Sequence, residues 1–180
     1  MIIINEQLSL VPITSSDTAI LFNLMNEVYP QAYDYFWKDD GNWYVNSQYS
    51  KENIVKELSE LNSDYYFVVV DGEKVGNLKI NWNSELENFT EKRKAVKLHR
   101  IYLHSKTQGK GVGKQLLLWL ENEAKKKQYE MIWLDAMDEK PQAFEFYKKL
   151  GYQYHSHCFL PFDLLYDKYR KMSQVYKILN

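Results

Sequence analysis

The chain has a single cysteine, Cys158, in 180 residues, so no disulfide can form within it and a reducing compartment suits it. It has no apolar run near the roughly 20 residues that a membrane-spanning helix requires. The N-terminus offers only Ile2-Ile3-Ile4 before Asn5 and Glu6, without the basic lead, long apolar core or small-residue cleavage site of an export signal. Net charge is almost absent, at a formal -1, which argues against a general nucleic-acid binder. These absences lead us to expect one cytoplasmic domain over residues 1–180, with no membrane or nucleic-acid partner and no metal. With 45% hydrophobic positions the chain is long enough to bury one sizeable core.

What is present is unevenly distributed. From Asn26 to Asp64 eight acids stand against three bases, a local excess of five negative charges. From Ser105 to Gln128 six lysines stand against Glu121 and Glu123, an excess of four positive charges. An anionic ligand would suit one end of the molecule and a cationic one the other, although solvated faces also carry such runs.

Residues 1–64 read as a short strand over Leu8 to Pro12, a helix through Ile20, Leu21, Leu24, Met25 and Val28, and a second helix capped by Ser50. Between the helices the aromatic stretch from Tyr29 to Tyr49 reads as a loop or short helix. Tyr65 to Val70 and Val75 to Trp82 form a hairpin about Asp71-Gly72. A strand over Ala95 to Leu103, a helix over Gly111 to Lys127 and a strand over Met131 to Ala136 follow. Pro141 opens a helix that Gly151 closes, and strands over Tyr152 to Cys158 and Val175 to Leu179 complete the pattern. The tyrosine-rich segment Phe159 to Met172 has no assignment. A strand-helix-strand unit in the middle calls for a parallel pairing.

Chemistry is concentrated in Gln108-Gly-Lys-Gly111-Val-Gly113, between a strand and a helix. Register excludes two common phosphate loops. A Walker loop ending on Gly113-Lys114 needs glycine at 108 and Ser or Thr at 115, and both are glutamine. A dinucleotide fingerprint beginning at Gly109 needs glycine at 114, where Lys114 stands. What remains is Gln-x-x-Gly-x-Gly opening a helix, whose unpaired amides and partial positive charge face an anion.

That turn, its amphipathic helix, the next strand and then Ala143-Phe-Glu-Phe-Tyr147-Lys-Lys-Leu-Gly151-Tyr152 together resemble the GCN5-related N-acetyltransferase family. His99-Arg100-Ile101-Tyr102-Leu103 is similar to the bacterial polyamine acetyltransferase branch. The resemblance covers Tyr65 to Tyr154, with residues 1–64 as the variable helical acceptor region and 65–180 as core and C-terminal strands. It implies an α/β fold, a central mixed sheet of about six or seven strands flanked by about four helices.

It further implies acetyl-CoA as cosubstrate. The pyrophosphate would lie on Gln108, Gly109, Lys110, Gly111, Val112, Gly113 and Lys114. The pantetheine arm would pair with the backbone of Ile101, Tyr102 and Leu103. Tyr147 would be the acid that protonates the leaving thiolate, and the amide of Leu103 would polarise the carbonyl. Where relatives often carry a glutamate as base, this chain has Lys97 and His99; His99 is the candidate because imidazole titrates near neutral pH, with ordered water as the alternative. Lys140 stands where the family often has asparagine.

The expected reaction is direct transfer to a small cationic amine such as a polyamine. Asp34, Asp39, Asp40, Tyr33 and Trp37 are the candidate acceptor contacts, since carboxylates and aromatic faces both hold cations. Acetylation of a protein amine and a non-catalytic acyl-CoA-binding module are the alternatives, and homodimerisation stays open.

Overall fold

The computed structural model describes residues 1–179. Alternating and β-branched runs form the strands β1 (Ile2–Ile3), β2 (Leu8–Pro12), β3 (Ser63–Val70), β4 (Glu73–Asn81), β5 (Ala95–Leu103), β6 (Met131–Met137), β7 (Gln153–Phe159) and β8 (Lys171–Ile178). They make one sheet in the order β1-β2-β3-β4-β5-β6-β8-β7, in which β5 and β6 are parallel and the other neighbours antiparallel. The count of eight exceeds expectation because Ile2 and Ile3 pair with Leu10 and Ser9. Residues 1–64 therefore supply two strands as well as helices.

Six α-helices accompany the sheet: α1 (Thr18–Val28), α2 (Pro30–Tyr33), α3 (Asn42–Gln48), α4 (Lys51–Leu58), α5 (Val112–Lys126) and α6 (Pro141–Lys149). Ser50 caps α4 by accepting from the Asn53 amide at 3.1 Å. The two helices beyond the expected four, α2 and α3, are short and lie in the aromatic stretch. Asp39 starts α3, because its carboxylate accepts from the amides of Gly41 (3.2 Å) and Trp43 (2.6 Å).

The sheet carries a core on each face. On one, Val112, Leu116, Leu117, Leu120 and Ala124 of α5 and the partly buried Phe144, Phe146 and Tyr147 of α6 pack over Leu98, Ile132 and Leu134. On the other, Leu21, Met25 and Val28 of α1 join Val45, Ile54 and the aromatic residues Tyr29, Phe36, Trp37 and Tyr49 over Tyr65 and Phe67. The unassigned segment belongs to this second core. Leu160, Phe162, Leu164 and Leu165 pack there, and it is pinned by Lys38 N–H to Leu164 C=O (2.8 Å) and Tyr166 N–H to Phe36 C=O (3.0 Å).

Two features of the middle of the sheet position the site. The parallel pairing of β5 with β6 ends at Leu98–Leu134. Beyond it the strands diverge, and Asp135 to Met137 pair only with Gln174 to Met172 of β8. At the same level β5 bulges: Lys79 opposes Arg100 and Ile80 opposes Leu98, leaving His99 as the extra residue.

Beneath the bulge lies a buried charge network. Lys79, 1% exposed, and Arg100, 6% exposed, both contact the buried carboxylate of Glu57, Lys79 at 3.4 Å. Lys79 also donates to Glu60 at 2.7 Å, while Arg100 donates to Tyr65 and Gln48, each at 3.3 Å. Two cations and two carboxylates thus offset one another, as burial of charge demands.

Candidate active site

The divergence of β5 from β6 opens a cavity of about 280 Å³. Its floor is the strand pair itself, from Leu98 to Tyr102 and from Leu134 to Met137. Lys140, Ala143 and Tyr147 wall one side, Tyr29, Tyr33 and Tyr44 another, and Leu160, Phe162 and Leu165 close it from the β7–β8 connection.

Strand alternation decides which main-chain groups of β5 face the opening. His104 N–H donates to Val75 C=O at 2.7 Å, toward β4. Tyr102 C=O points the same way, since a Cβ built on Gly76 would meet it at 2.0 Å. Only glycine fits at 76. Ile101 and Leu103 consequently turn their N–H and C=O toward the side where β6 has left, free to pair with an extended ligand. Of the three expected positions Leu103 is not among the cavity's lining residues, Ile101 is, and Tyr102 contributes its ring. Its hydroxyl bonds that of Tyr44 at 2.9 Å, and Tyr29 and Tyr33 contact the ring edge-on at 5.7 and 5.8 Å.

The glycine turn follows β5 at the open end. Gly109 (φ 73°) and Gly111 (φ 74°) both adopt the left-handed backbone region, and Gly111 starts α5 without a side-chain cap. The first amides of α5, those of Val112, Gly113 and Lys114, have no acceptor within the helix. Gln108, Lys110 and Lys114 are exposed around them. Lys106 is engaged with Glu73. Free amides and lysines thus meet at the carboxyl end of a parallel strand, where an anion would be favoured.

Tyr147 faces the cavity from α6, in edge contact with Phe146 (5.3 Å) and Tyr152 (5.7 Å). Burial, followed by the nearby Tyr33, raises its pKa, so its hydroxyl keeps its proton across physiological pH. His99 also lines the cavity, but burial and then the positive charges of Arg100, Lys79 and Lys97 lower its pKa to about 3. It is neutral at pH 7 yet a feeble proton acceptor. This removes the reason for choosing it as base, which assumed a titration near neutrality.

The acceptor candidates divide. Tyr33 and Trp37 line the cavity; Trp37 is held by its indole N–H donating to Tyr29 Oη at 2.9 Å. Asp34, Asp39 and Asp40 are not among the lining residues. Asp34 accepts from the Tyr35 amide at 2.7 Å, Asp39 is committed to the start of α3, and Asp40 is exposed at φ 58°. The carboxylates of Asp34 and Asp39 thus serve local turns. The one lining carboxylate, Asp135, was not anticipated and forms an ion pair with Lys97 at 2.6 Å. Also unanticipated were Phe162 and Leu165, whose only signal was the apolar spacing within an otherwise polar segment. Among the described residues no cluster of three or more His, Cys, Asp or Glu could hold a metal, and no helix is long and apolar enough to cross a membrane.

The cleft where the strands splay thus lies between a glycine turn and a helical tyrosine, and comparison with known proteins supplies the family. The model of the Acetyltransferase (GNAT) family matches residues 21–152, and this chain belongs to that family. An uncharacterized N-acetyltransferase of Lactobacillus delbrueckii subsp. lactis is 28% identical over 102 residues, covering 57% of this chain and 58% of that protein. One of Methanocaldococcus jannaschii is 31% identical over 130 residues, covering 71% and 54%. The chain thus spans little more than half the length of these curated relatives.

Solved structures share the fold. The PaiA N-acetyltransferase of Thermoplasma acidophilum in complex with coenzyme A superposes with a TM-score of 0.67 at 20% identity, covering 95% and 98% of the two chains. A mutant of spermidine N-acetyltransferase SpeG from Vibrio cholerae gives 0.66 at 18%, covering 97% and 95%. The Salmonella typhimurium acetyl transferase that modifies the N-terminal serine of ribosomal protein L7/L12 gives 0.72 at 15%, covering 99% of each.

Proposed function

We propose that this chain transfers an acetyl group from acetyl-CoA to a primary amine of a small molecule, by direct attack within a ternary complex. The observation that carries this reading is the outward-facing backbone of Ile101 and Leu103 lying between the glycine cradle and Tyr147. The residues fit the cosubstrate: the amides from Gly109 to Lys114, with Lys110 and Lys114 beside them, would hold the pyrophosphate, and the β5 edge would pair with the pantetheine arm. Acetyl-CoA brings an activated thioester.

This chain's own groups then do the following. The Leu103 amide, turned away from β4, would donate a hydrogen bond to developing negative charge on the carbonyl oxygen. Tyr147, which keeps its hydroxyl proton at neutral pH, is the group placed to give it to the departing thiolate, although burial makes it a weaker acid than a free tyrosine. With His99 so weak a base, the proton of the attacking ammonium leaves through water in the cavity.

A small acceptor is favoured over a protein amine because Leu160, Phe162 and Leu165 close the acceptor side, where a polypeptide would need an open groove. The carboxylate contacts expected for a polyamine are outside the lining, while the aromatic ones, Tyr33 and Trp37, are in it. The exposed edge strand β7, with Tyr154 and Phe159 on its surface, is where a homodimer would form. The test of the reaction is release of free CoA thiol on mixing enzyme, acetyl-CoA and a panel of primary amines, with the acetylated product identified by mass. Tight CoA binding without turnover of any amine would establish the binding-module alternative instead.

A further inference from the structure

The charges lining the cavity are unusual for a site meant to hold a cation. Arg100 is balanced by Glu57 and Asp135 by Lys97. The neighbouring Lys79 is balanced by Glu60. One lining charge is left over, that of Lys140. Among the described residues no carboxylate lies within ion-pairing distance of its ammonium. It rests instead over three rings of the acceptor side, Tyr33 at 5.2 Å, Tyr35 at 4.9 Å and Phe36 at 5.5 Å. The aromatic box that would suit an incoming cation already holds one.

Lys140 immediately precedes Pro141, the first residue of α6, and Tyr147 lies about two helical turns further along the same helix. Its ammonium is turned toward the rings of α2 and the turn after it, whereas the phosphate cradle is at the start of α5 and has Lys110 and Lys114 of its own. A second positive charge entering this space would be repelled by Lys140 or would have to displace it. An anionic group would find a partner on a preset, partly desolvated ammonium, where ion pairing is stronger than at the open surface.

We propose that Lys140 determines acceptor specificity by pairing with a carboxylate, so that the acceptor is an amino-carboxylate: a primary amine, an aromatic or aliphatic body against the tyrosine walls, and an acid group at Lys140. This deepens the acetyl-transfer reading of the same site and rests on it for the identity of the reacting amine.

The experiment uses matched pairs that differ only in the acid: phenylalanine against phenethylamine, and 6-aminohexanoate against hexylamine, with spermidine as the polycationic comparator. Both kcat/KM with acetyl-CoA and calorimetric affinity in the presence of CoA are measured for the wild type, Lys140→Gln and Lys140→Arg. The acid of at least one pair should be favoured by about tenfold or more, a ratio expected of one charge-assisted contact. The ratio should fall toward one in Lys140→Gln and return in part in Lys140→Arg. Spermidine outperforming every acid, or a ratio unchanged by Lys140→Gln, overturns the proposal, as does a Lys140→Gln effect confined to the KM for acetyl-CoA. Calorimetry separates the two readings. Tighter, Lys140-dependent binding of an acid without turnover sinks acetyl transfer and leaves this proposal standing; turnover without any acid preference does the reverse.

Discussion

Replacing Glu57 by glutamine keeps the size of the side chain and its contact from Asn53 Nδ2 (3.1 Å) while deleting one charge. The structure sets the scale of the loss. Arg100, 6% exposed, has no other carboxylate, and Lys79, 1% exposed, keeps only Glu60, whose side chain is 41% exposed. Lys79 would then rely on one half-solvated acid and Arg100 would be left with none. Removing one partner of a buried pair costs about 3–5 kcal/mol, against well under 1 kcal/mol for a typical surface pair. For a chain of this length that is a fall in Tm of roughly 6–20 °C. Urea unfolding followed by tryptophan fluorescence measures it directly, with an unchanged denaturant slope showing that the effect lies in stability. Arg100→Met in the Glu57→Gln background should recover at least half of the loss, because the stranded guanidinium is then gone. A loss below about 1 kcal/mol, or no recovery in the double variant, would refute the claim that Glu57 neutralises buried charge.

Three further outcomes are expected. Tyr147→Phe should lower kcat by about a hundredfold or more while leaving CoA affinity within a fewfold, in a stopped assay paired with calorimetry; an unaltered kcat would mean that water protonates the thiolate. His99 titrates at about 3 in the fold against 6.5 when unperturbed, so the unfolded state binds more protons between those values and stability falls as pH drops through that window. His99→Gln should therefore move the acid-unfolding midpoint to lower pH, and an unmoved midpoint would show that His99 is not held neutral. Gly76→Ala would press a methyl group into the Tyr102 carbonyl, an overlap that only a backbone shift relieves. Stability should drop by about 1–3 kcal/mol or more, with a weaker acetyl-CoA KM because β5 itself is displaced, and a variant as stable as wild type would contradict the close approach.

Much of this architecture is legible before any coordinates. Leu116, Leu117, Leu120 and Ala124 announce α5 by their period, and Pro141 with Gly151 brackets α6. The strand from Ala95 to Leu103 is bounded correctly because alternation and flanking polarity agree. The tight turn before α5 is legible too, since glycine at 109 and 111 is what a left-handed backbone requires. What escapes is whatever depends on distant partners. The low pKa of His99 comes first from burial and then from Arg100, Lys79 and Lys97, and neither the burial nor the approach of Lys79 from β4 can be read from the strand's own pattern. Asp39 looks like a ligand for a cation until its carboxylate is found on the amides of Gly41 and Trp43. The closing residues Phe162 and Leu165 sit more than 100 positions after Trp37, and only the tertiary fold brings them together.

The parting of β5 from β6 also has a consequence for how the protein responds to its cosubstrate. A sheet that stops pairing in its middle carries an open seam, and an extended pantetheine arm lying on Ile101 and Leu103 would close that seam as a missing strand. The two parts of the sheet are joined by the four parallel pairs from Ala95–Met131 to Leu98–Leu134, and a ligand in the seam would bridge them beyond that point. Because such a ligand binds only the folded chain, saturating it at a hundred times its Kd would add about 2.7 kcal/mol to stability. An acetyl donor bound in that seam would thus become part of the fold.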